Sequence, residues 1–530
     1  MAPHFPMYAV LPQQTERIRR TSAAQSKELI AESDSKVESL RNQIGTLESR
    51  VAALIERRVR ERAGDALRSL VAPIRTLPVE LLAEIFLLTI RELDLSGSRY
   101  VDFGREYLHI KDAFRVSHIC RQWRQIANGT PRLWTGPIRV DFHRRRNEWI
   151  YADGLETWLA RSAPLSVPII IMGPHHSWLP ESKSRLIEIL LCIAARWRSL
   201  RFFSHVLPAS FVQRLAGCRL DSLEELVLRG VERDNLHFDP TTILSFSTAP
   251  RLRSVTSYWA CGIPMPWAQL TNISFGNFGD VLSPETFRNV FSQCMNVVKA
   301  SINIEWSAVG FDALVLNQLR ILSVTWYGDE GYGMQFLDCL SAPALDELNM
   351  YLEGGRSDMQ WAEATFTAFQ RRSPNITKLR ITGRDCLSVP SQALITALRY
   401  APSLTHFCIE DCPNAADEDF CHALCYIDDA EPLVPRLHTL AVGEFGGDLS
   451  QEGLANMIAS RWWSDAELGS RSRPPLVARW RQIRLRGDSI EEGFNFDSEF
   501  RDAMYALQEG GLDVDFVHRY GSWRLDSVNW

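Results

Sequence analysis

The sequence predicts a mixed chain, α+β passing into α/β: a long N-terminal helix, a small all-α module, and an irregular α/β solenoid. Three observations predict it. Apolar residues recur every seven positions between Ile30 and Leu54. Two helical segments follow, the first apolar around most of its circumference. From Leu200 onward a six-residue apolar phrase returns repeatedly, separated by helical or turn-like pieces.

The length of 530 residues exceeds a single core, so several domains or a repeat array are expected. A hydrophobic content of 45% with 23% charged residues is that of an ordinary globular protein. The net charge of −6 argues against a chain-wide nucleic-acid or anionic-membrane footprint. Eleven cysteines at irregular spacing point to free thiols in a reducing compartment. The N-terminus lacks the pattern of a signal peptide, and the most apolar window, "APLSVPIIIMGP", is short and broken by prolines. The expected location is cytoplasmic or nuclear, with "RIRR" and "HRRR" weak nuclear-signal candidates.

Residues 1–25 are expected to be disordered and residues 26–72 to form a coiled-coil helix. Ile30, Val37, Ile44 and Val51 occupy one heptad position, and Leu40, Leu47 and Leu54 occupy the other. β-branched residues at a with leucine at d favour a parallel two-stranded coil, hence a homodimer through residues 26–62. The alternative is a helix folded back onto its own chain. Ser33 and Arg58 interrupt the seam at its ends, and the g-to-e′ pairs carry no clear charge code.

Residues 73–135 form the two-helix module. In "RTLPVELLAEIFLLTI", Pro78 suits a first helical turn, and Glu80 complements the helix N-terminal dipole. Glu80, Glu84 and Arg91 fall in one wedge, and the rest of the surface is nearly all apolar. Such a helix needs cover on two sides. A second helix is expected from Asp112, as N-cap, to Asn128-Gly129, with Val116, Ile119, Cys120, Trp123, Ile126 and Ala127 on one stripe. Two short helices cannot bury all of this, so either a partner protein or the rest of the chain covers the remainder.

"LPVELLAEIF…VSHICRQWRQIANGTPRLW" resembles the F-box over roughly residues 74–134. The resemblance implies docking onto a Skp-family adaptor and, through it, a cullin–RING ubiquitin ligase. By position it implies adaptor-facing roles for Leu77, Pro78, Leu81, Leu82, Ile85, Phe86, Val116, Cys120 and Trp123. A polar insert at 92–111 lengthens the connection between the helices. It is similar to the inserts of F-box-like proteins from mushroom-forming fungi.

Residues 136–198 read as linking strands, "IRVDF" and "LSVPIIIM", around a helix "DGLETWLARS". Residues 199–530 carry the recurring phrase, L-x-x-L-x-L in apolar shorthand. It begins at Leu200, Leu223, Leu252, Leu270, Val297, Leu319, Leu345, Ile376, Leu404, Leu437 and Trp480. That spacing falls in the leucine-rich-repeat range. Several copies open with a proline lead-in, "APRL", "APAL", "SPNI", "APSL" and "VPRL", and the tail supplies a capping helix and strand. A curved α/β solenoid follows, with a conventional α/β domain as the alternative. A period of two places Arg229, Tyr258, Asn303, Glu347, Tyr351, Lys378, Arg380, His406, Glu410, Arg484 and Arg486 on the concave face. Its basic bias towards the C-terminal end suits an acidic or phosphorylated ligand. Repeats behind an F-box imply selection of a target protein for ubiquitination.

No phosphate-binding loop, nucleophile elbow or metalloprotease helix occurs. "YGDEGYGMQ" reads as a turn, and "GPHHSW" need not converge on one ion. The cysteines of "HFCIEDCPNAADEDFCHALC" lack zinc-ribbon spacing and read as small buried thiols. No catalytic residue, metal or cofactor is expected. The chain reads as the non-catalytic substrate receptor of a ubiquitin ligase. The alternative is an F-box-like repeat scaffold outside any ligase, oligomerising through its coil.

Overall fold

A computed structural model describes the chain except for residues 1–9, 72, 91–105, 143–147, 174–183, 204–210, 212–213, 230–240, 242, 258–261, 277–280, 307–312, 328–333, 354–358, 384–386, 413–414, 429, 444–448, 472, 487–495 and 518–530. It divides into two compact units, residues 1–85 and 86–530.

In the first unit, helix α1 runs unbroken over Val10–Val71. It starts inside the stretch expected to be disordered. The reason is that Pro12 lies in its first turn, where proline is tolerated, and no further proline occurs before Pro73. The Gln, Arg, Ala and Ser residues between carry little helical penalty. Ion pairs one turn apart support it: Lys36–Glu32 at 2.7 Å, Arg60–Glu56 at 2.6 Å and Arg57–Glu61 at 2.9 Å. A 3-10 turn at Pro73–Arg75 follows. Helix α2, Val79–Thr89, then begins with the Leu82 amide bonded to the Pro78 carbonyl at 3.1 Å.

The second unit opens with the last turn of α2 and two further helices, α3 at Glu106–His118 and α4 at Arg121–Asn128. The single helix expected from Asp112 is therefore two. Asp112 is buried in the middle of α3, and its carboxylate accepts from Arg115 at 3.1 Å. The break falls at Cys120, which is extended (φ −155°, ψ 174°) and caps α4 by accepting from the Trp123 amide at 3.4 Å. The first turns of α3 use Glu106–Lys111 from the polar insert, whose residues 92–105 lie outside the described residues.

Past α4, "PRLW" forms a 3-10 turn that buries Leu133 and Trp134 completely. The Trp134 indole donates to the Ala127 carbonyl at 2.7 Å. Its ring meets Trp158 edge-on at 4.9 Å and Phe114 at 5.8 Å, and carries the Arg161 guanidinium at 4.5 Å. Trp158 and Arg161 belong to helix α5, Glu148–Ser162. One tryptophan thus ties the end of the two-helix module to the first helix of the repeat region.

Fourteen strands build one parallel sheet in strict chain order. They are β1 Ile138–Asp141, β2 Val167–Met172, β3 Trp197–Phe203, β4 Glu225–Arg229, β5 Ser254–Ser257, β6 Asn272–Phe275 and β7 Lys299–Ile304. The series continues with β8 Ile321–Trp326, β9 Glu347–Leu352, β10 Lys378–Thr382, β11 His406–Glu410, β12 Thr439–Gly443, β13 Gln482–Arg486 and β14 Asp513–Val517. Each phrase read from Leu200 to Trp480 coincides with one strand, and the same ladder includes β1 and β2. Each strand pairs with its neighbours in sequence, which makes the region a solenoid.

The proline lead-ins have a specific job. The amides of Leu345, Leu404 and Leu437 bond to the carbonyls of Ala342, Ala401 and Val434 at 3.0, 3.0 and 3.1 Å. Each closes a β-turn with proline at its second position, where the fixed φ is already correct. The closing leucine is fully buried in all three. Turn and core anchor are therefore one four-residue device. Amphipathic helices alternate with the strands, among them Pro284–Phe291, Ser391–Arg399 and Ser498–Glu509. The alternate strand positions Leu348, Leu379, Phe407, Leu440 and Ile483 are all buried.

Candidate protein-interaction surfaces

The residues expected to face an adaptor fall in both units. In the first, Pro78 is exposed, Leu77 and Ile85 are half-buried, Leu81 is 52% exposed and Leu82 is fully buried. In the second, Phe86 and Val116 are buried, while Cys120 and Trp123 are half-buried. The Phe86 and Trp123 rings lie 4.6 Å apart, so this pair is a core contact that still shows an edge of Trp123. Along α2 and one residue past it, Leu82, Phe86 and Ile90 are buried, one per turn, and Val79, Leu81 and Leu88 are exposed. In α3 and the break after it, Phe114 and Ile119 are exposed as well. Val79, Leu88 and Phe114 lie outside the expected adaptor-facing set and are exposed as Leu81 is. The apolar excess of α2 was the available signal, but it could not divide inward from outward residues.

On the sheet, the residues that alternate with Leu348, Leu379 and their equivalents form three rows. The first runs Glu347, Lys378, His406, Thr439, Gln482, Asp513 across neighbouring strands. The second runs Arg201, Val227, Thr256, Ser274, Ser301, Ser323, Asn349, Arg380, Cys408, Ala441, Arg484, Asp515. The third includes Asn303, Thr325, Tyr351, Thr382 and Glu410, with Arg486 beside Gly443 further on. Arg229 ends β4, but its side chain lies outside the described residues, as does all of Tyr258.

Small side chains fill the middle of the second row, so the face there is a shallow polar trough. Charge gathers at the two ends. Near the start, Arg201 donates to both carboxylate oxygens of Glu225 at 3.1 and 3.2 Å. Near the end, Arg380 and Glu410 are only 4% and 5% exposed, with the small Cys408 and Ala441 separating Arg380 from Arg484. Burial pushes the Glu410 carboxyl up, against the pull of Arg380. Arg486 is bonded to Asp411 at 2.9 Å, and Arg484 lies 3.9 Å from Asp515. Acidic side chains therefore interleave with Arg380, Arg484 and Arg486. Glu347 accepts from the Asn349 amide at 2.8 Å, and Lys378 and Tyr351 are half-exposed.

His406 and His438 stand edge to face at 4.8 Å beside Lys378 and Arg481. Burial, then neighbouring positive charge, lowers His406 to about 4, and His438 is lowered in the same way. Next to them a cleft of about 460 Å³ is lined by His438, Trp462, Trp480, Arg479 and Arg481. Arg479 sits 4.8 Å above Trp462 and is held by Asp465 at 2.7 Å.

The cysteine-rich stretch does not assemble a reactive site. Cys408, Cys412 and Cys421 are buried, and desolvation pushes the Cys421 thiol up to about 12 and Cys408 well above its ordinary value. Protonated buried thiols are poor nucleophiles and poor metal ligands. Among the described residues no group of three or more His, Cys, Asp or Glu side chains is placed to hold a metal, and no helix is long and apolar enough to cross a membrane. The "GPHHSW" histidines lie outside the described residues.

Residues 74–139 match the F-box-like family model, and the chain carries an F-box-like domain there. Among solved structures, the chain is similar to the leucine-rich repeat-containing protein LegL7 of Legionella pneumophila. The likeness has 11% identity and a TM-score of 0.27, and covers 73% of this chain and 91% of that one. No curated protein matches.

Proposed function

We propose that this protein is the substrate-recognition subunit of a Skp–cullin–F-box type ubiquitin ligase. The F-box-like domain docks onto a Skp-family adaptor, and through it the cullin, while the polar face of the solenoid holds a target protein. The chain performs no chemistry itself. It raises the target's concentration beside the ubiquitin-loaded enzyme. Its place of action is the cytoplasm or nucleus.

The observation that carries this reading is the pairing of an F-box-like domain with a repeat sheet whose open face is polar, the two tied together through Trp134 and α5. The target surface runs over Glu347, Tyr351, Lys378 and the rim of Arg380, with Arg484 and Arg486 beyond. Because carboxylates interleave with these cations, a ligand of mixed charge suits the face better than a purely acidic one.

Co-expression with a Skp-family adaptor tests the reading. A stable complex is expected, and Leu81→Asp, at an exposed position, should abolish it without unfolding the chain. Lys378→Glu should weaken target capture and spare the adaptor. Failure of the wild-type chain to hold any adaptor would leave the alternative, a repeat scaffold acting outside a ligase.

A further inference from the structure

We infer that residues 30–54 of α1 form a parallel, in-register two-stranded coiled coil with a second copy of this chain. The inference does not depend on the ligase reading.

Helix α1 is 62 residues long, about 93 Å at 1.5 Å per residue. Every described residue from Ser22 to Ala63 is exposed. That includes a full seam of large apolar side chains. Ile30, Val37, Leu40, Ile44, Leu47, Val51 and Leu54 are between 42% and 63% exposed. Most helical stability in water comes from packing an apolar face, so an uncovered stripe of this length calls for a partner.

The pattern says what that partner is. The seam has period seven, the repeat that keeps one stripe facing a second helix along a left-handed supercoil. Valine and isoleucine at a with leucine at d favour two parallel strands. In that arrangement each layer meets its own copy, Val37 on Val37, Leu40 on Leu40 and so on to Leu54. The surface is self-complementary by symmetry, as a two-fold interface requires.

The flanking charges fit a second copy better than a foreign helix. A foreign partner is normally selected by charges at e and g, and here Gln43 faces Glu48 and Arg50 faces Ile55, which select nothing. The one unfavourable pair, Lys36 with Arg41 of the other copy, is relieved within each helix. Lys36 is drawn back to Glu32 at 2.7 Å and Arg41 to Glu38, 3.7 Å away. Ser33 and Arg58 then mark where the apolar seam ends. An assembly of two chains carries two target-binding sheets and gains avidity for a multivalent target.

The test uses the full chain. Sedimentation equilibrium at about 10 µM, where a dissociation constant below the micromolar range leaves most chains paired, should return twice the 60.4 kDa chain mass. The double change Ile44→Asp, Leu47→Asp should return the single mass with the main thermal transition of the solenoid unchanged. Orientation is read by mild oxidation of single-cysteine variants. Ser33→Cys, on the seam, should give a disulfide-linked dimer, and Ser35→Cys, on the outer face, should give no more than the wild-type background. A monomeric wild type, or a dimer that survives the double change, overturns the proposal. A dimer in which Ser33→Cys fails to cross-link overturns its parallel, in-register form. Loss of adaptor binding moves none of these readouts, so the two readings fail separately.

Discussion

Arg486, at the end of β13, donates to Oδ1 of Asp411, two strands away, at 2.9 Å. It does so by passing over Gly443, which ends the intervening strand. A Cβ placed at Gly443 would lie 3.5 Å from the arginine Cδ and 3.6 Å from Glu410 Cγ. Both are ordinary van der Waals distances, so a methyl group would just fit there and a larger side chain would crowd the arginine. Asp411 itself sits at φ 51°, a left-handed conformation that aspartate tolerates better than most residues. The bond therefore fastens three successive repeats, and both partners are largely shielded.

Breaking that bond should be felt. Arg486→Met and Asp411→Asn are each expected to cost about 1–2 kcal/mol, the range for a shielded charged hydrogen bond. Gly443→Leu should cost a similar amount, about 1–3 kcal/mol, by crowding the arginine. Urea unfolding checks all three. A double-mutant cycle should show coupling between Arg486 and Asp411, and additive behaviour of the pair would sink the idea.

Trp134 is the second point of attachment. Trp134→Ala removes a buried indole, its bond to Ala127 and its packing on Trp158, and is expected to cost about 3–5 kcal/mol. Trp158→Ala should be comparable, because the two rings share one core. Thermal melting monitored by near-ultraviolet circular dichroism reports both. The F-box-like segment should also lose adaptor binding in these variants, since its last turn is no longer held.

How much of this was legible in the sequence depends on where each signal comes from. The strands were legible because period two and a leucine at a turn are local facts, visible within six residues. Their parallel order followed from repetition. The break at Cys120 was not legible, because Val116, Ile119, Cys120 and Trp123 satisfy helical spacing whether or not the helix stops there. Asp112 looked like a cap by type, yet its neighbours bury it inside α3. On the sheet, sequence could assign Arg380 and Glu410 to one face but not their burial, which depends on Cys408 and Ala441 being small on adjacent strands. His109 stacking into the space left by Gly136, where a Cβ would fall 2.1 Å from the ring, had no sequence signal at all.

Arg461 is fully buried, and burial lowers its pKa to about 10, leaving it charged at neutral pH. It donates to the carbonyls of Leu433 and Val434 at 2.6 and 3.3 Å, and lies 5.3 Å from the centre of the Trp480 ring. Val434 is the first residue of a turn device and holds φ 43°, uncommon for a β-branched residue. The arginine thus pins a strained turn. Arg461→Met should cost about 1–3 kcal/mol, because the Leu433 carbonyl loses this donor and the Val434 carbonyl keeps only the Leu437 amide. Arg461→Lys should recover only part, since one ammonium cannot match the fork. Hydrogen exchange localised to residues 433–439 is the check, and equal protection in wild type and Arg461→Met would refute the assignment.

The histidine pair sets an acid limit on stability. His406 titrates at about 4 and His438 is also held below the ordinary 6.5, each through burial first and nearby positive charge second. Both rings are therefore neutral in the folded chain at pH 7. An unfolded chain takes up these protons as pH falls below about 6.5, and the folded chain does not. Stability from this pair is complete above that pH and is lost progressively as pH falls towards 4. After discounting for solvent screening of half-exposed rings, the loss attributable to His406 is roughly 1 kcal/mol. His406→Gln removes the titration while keeping a polar side chain, so its unfolding free energy should vary less between pH 7 and pH 5 than that of the wild type. Denaturant midpoints at the two pH values make the comparison. Identical slopes for wild type and variant would show that the pair does not titrate with folding.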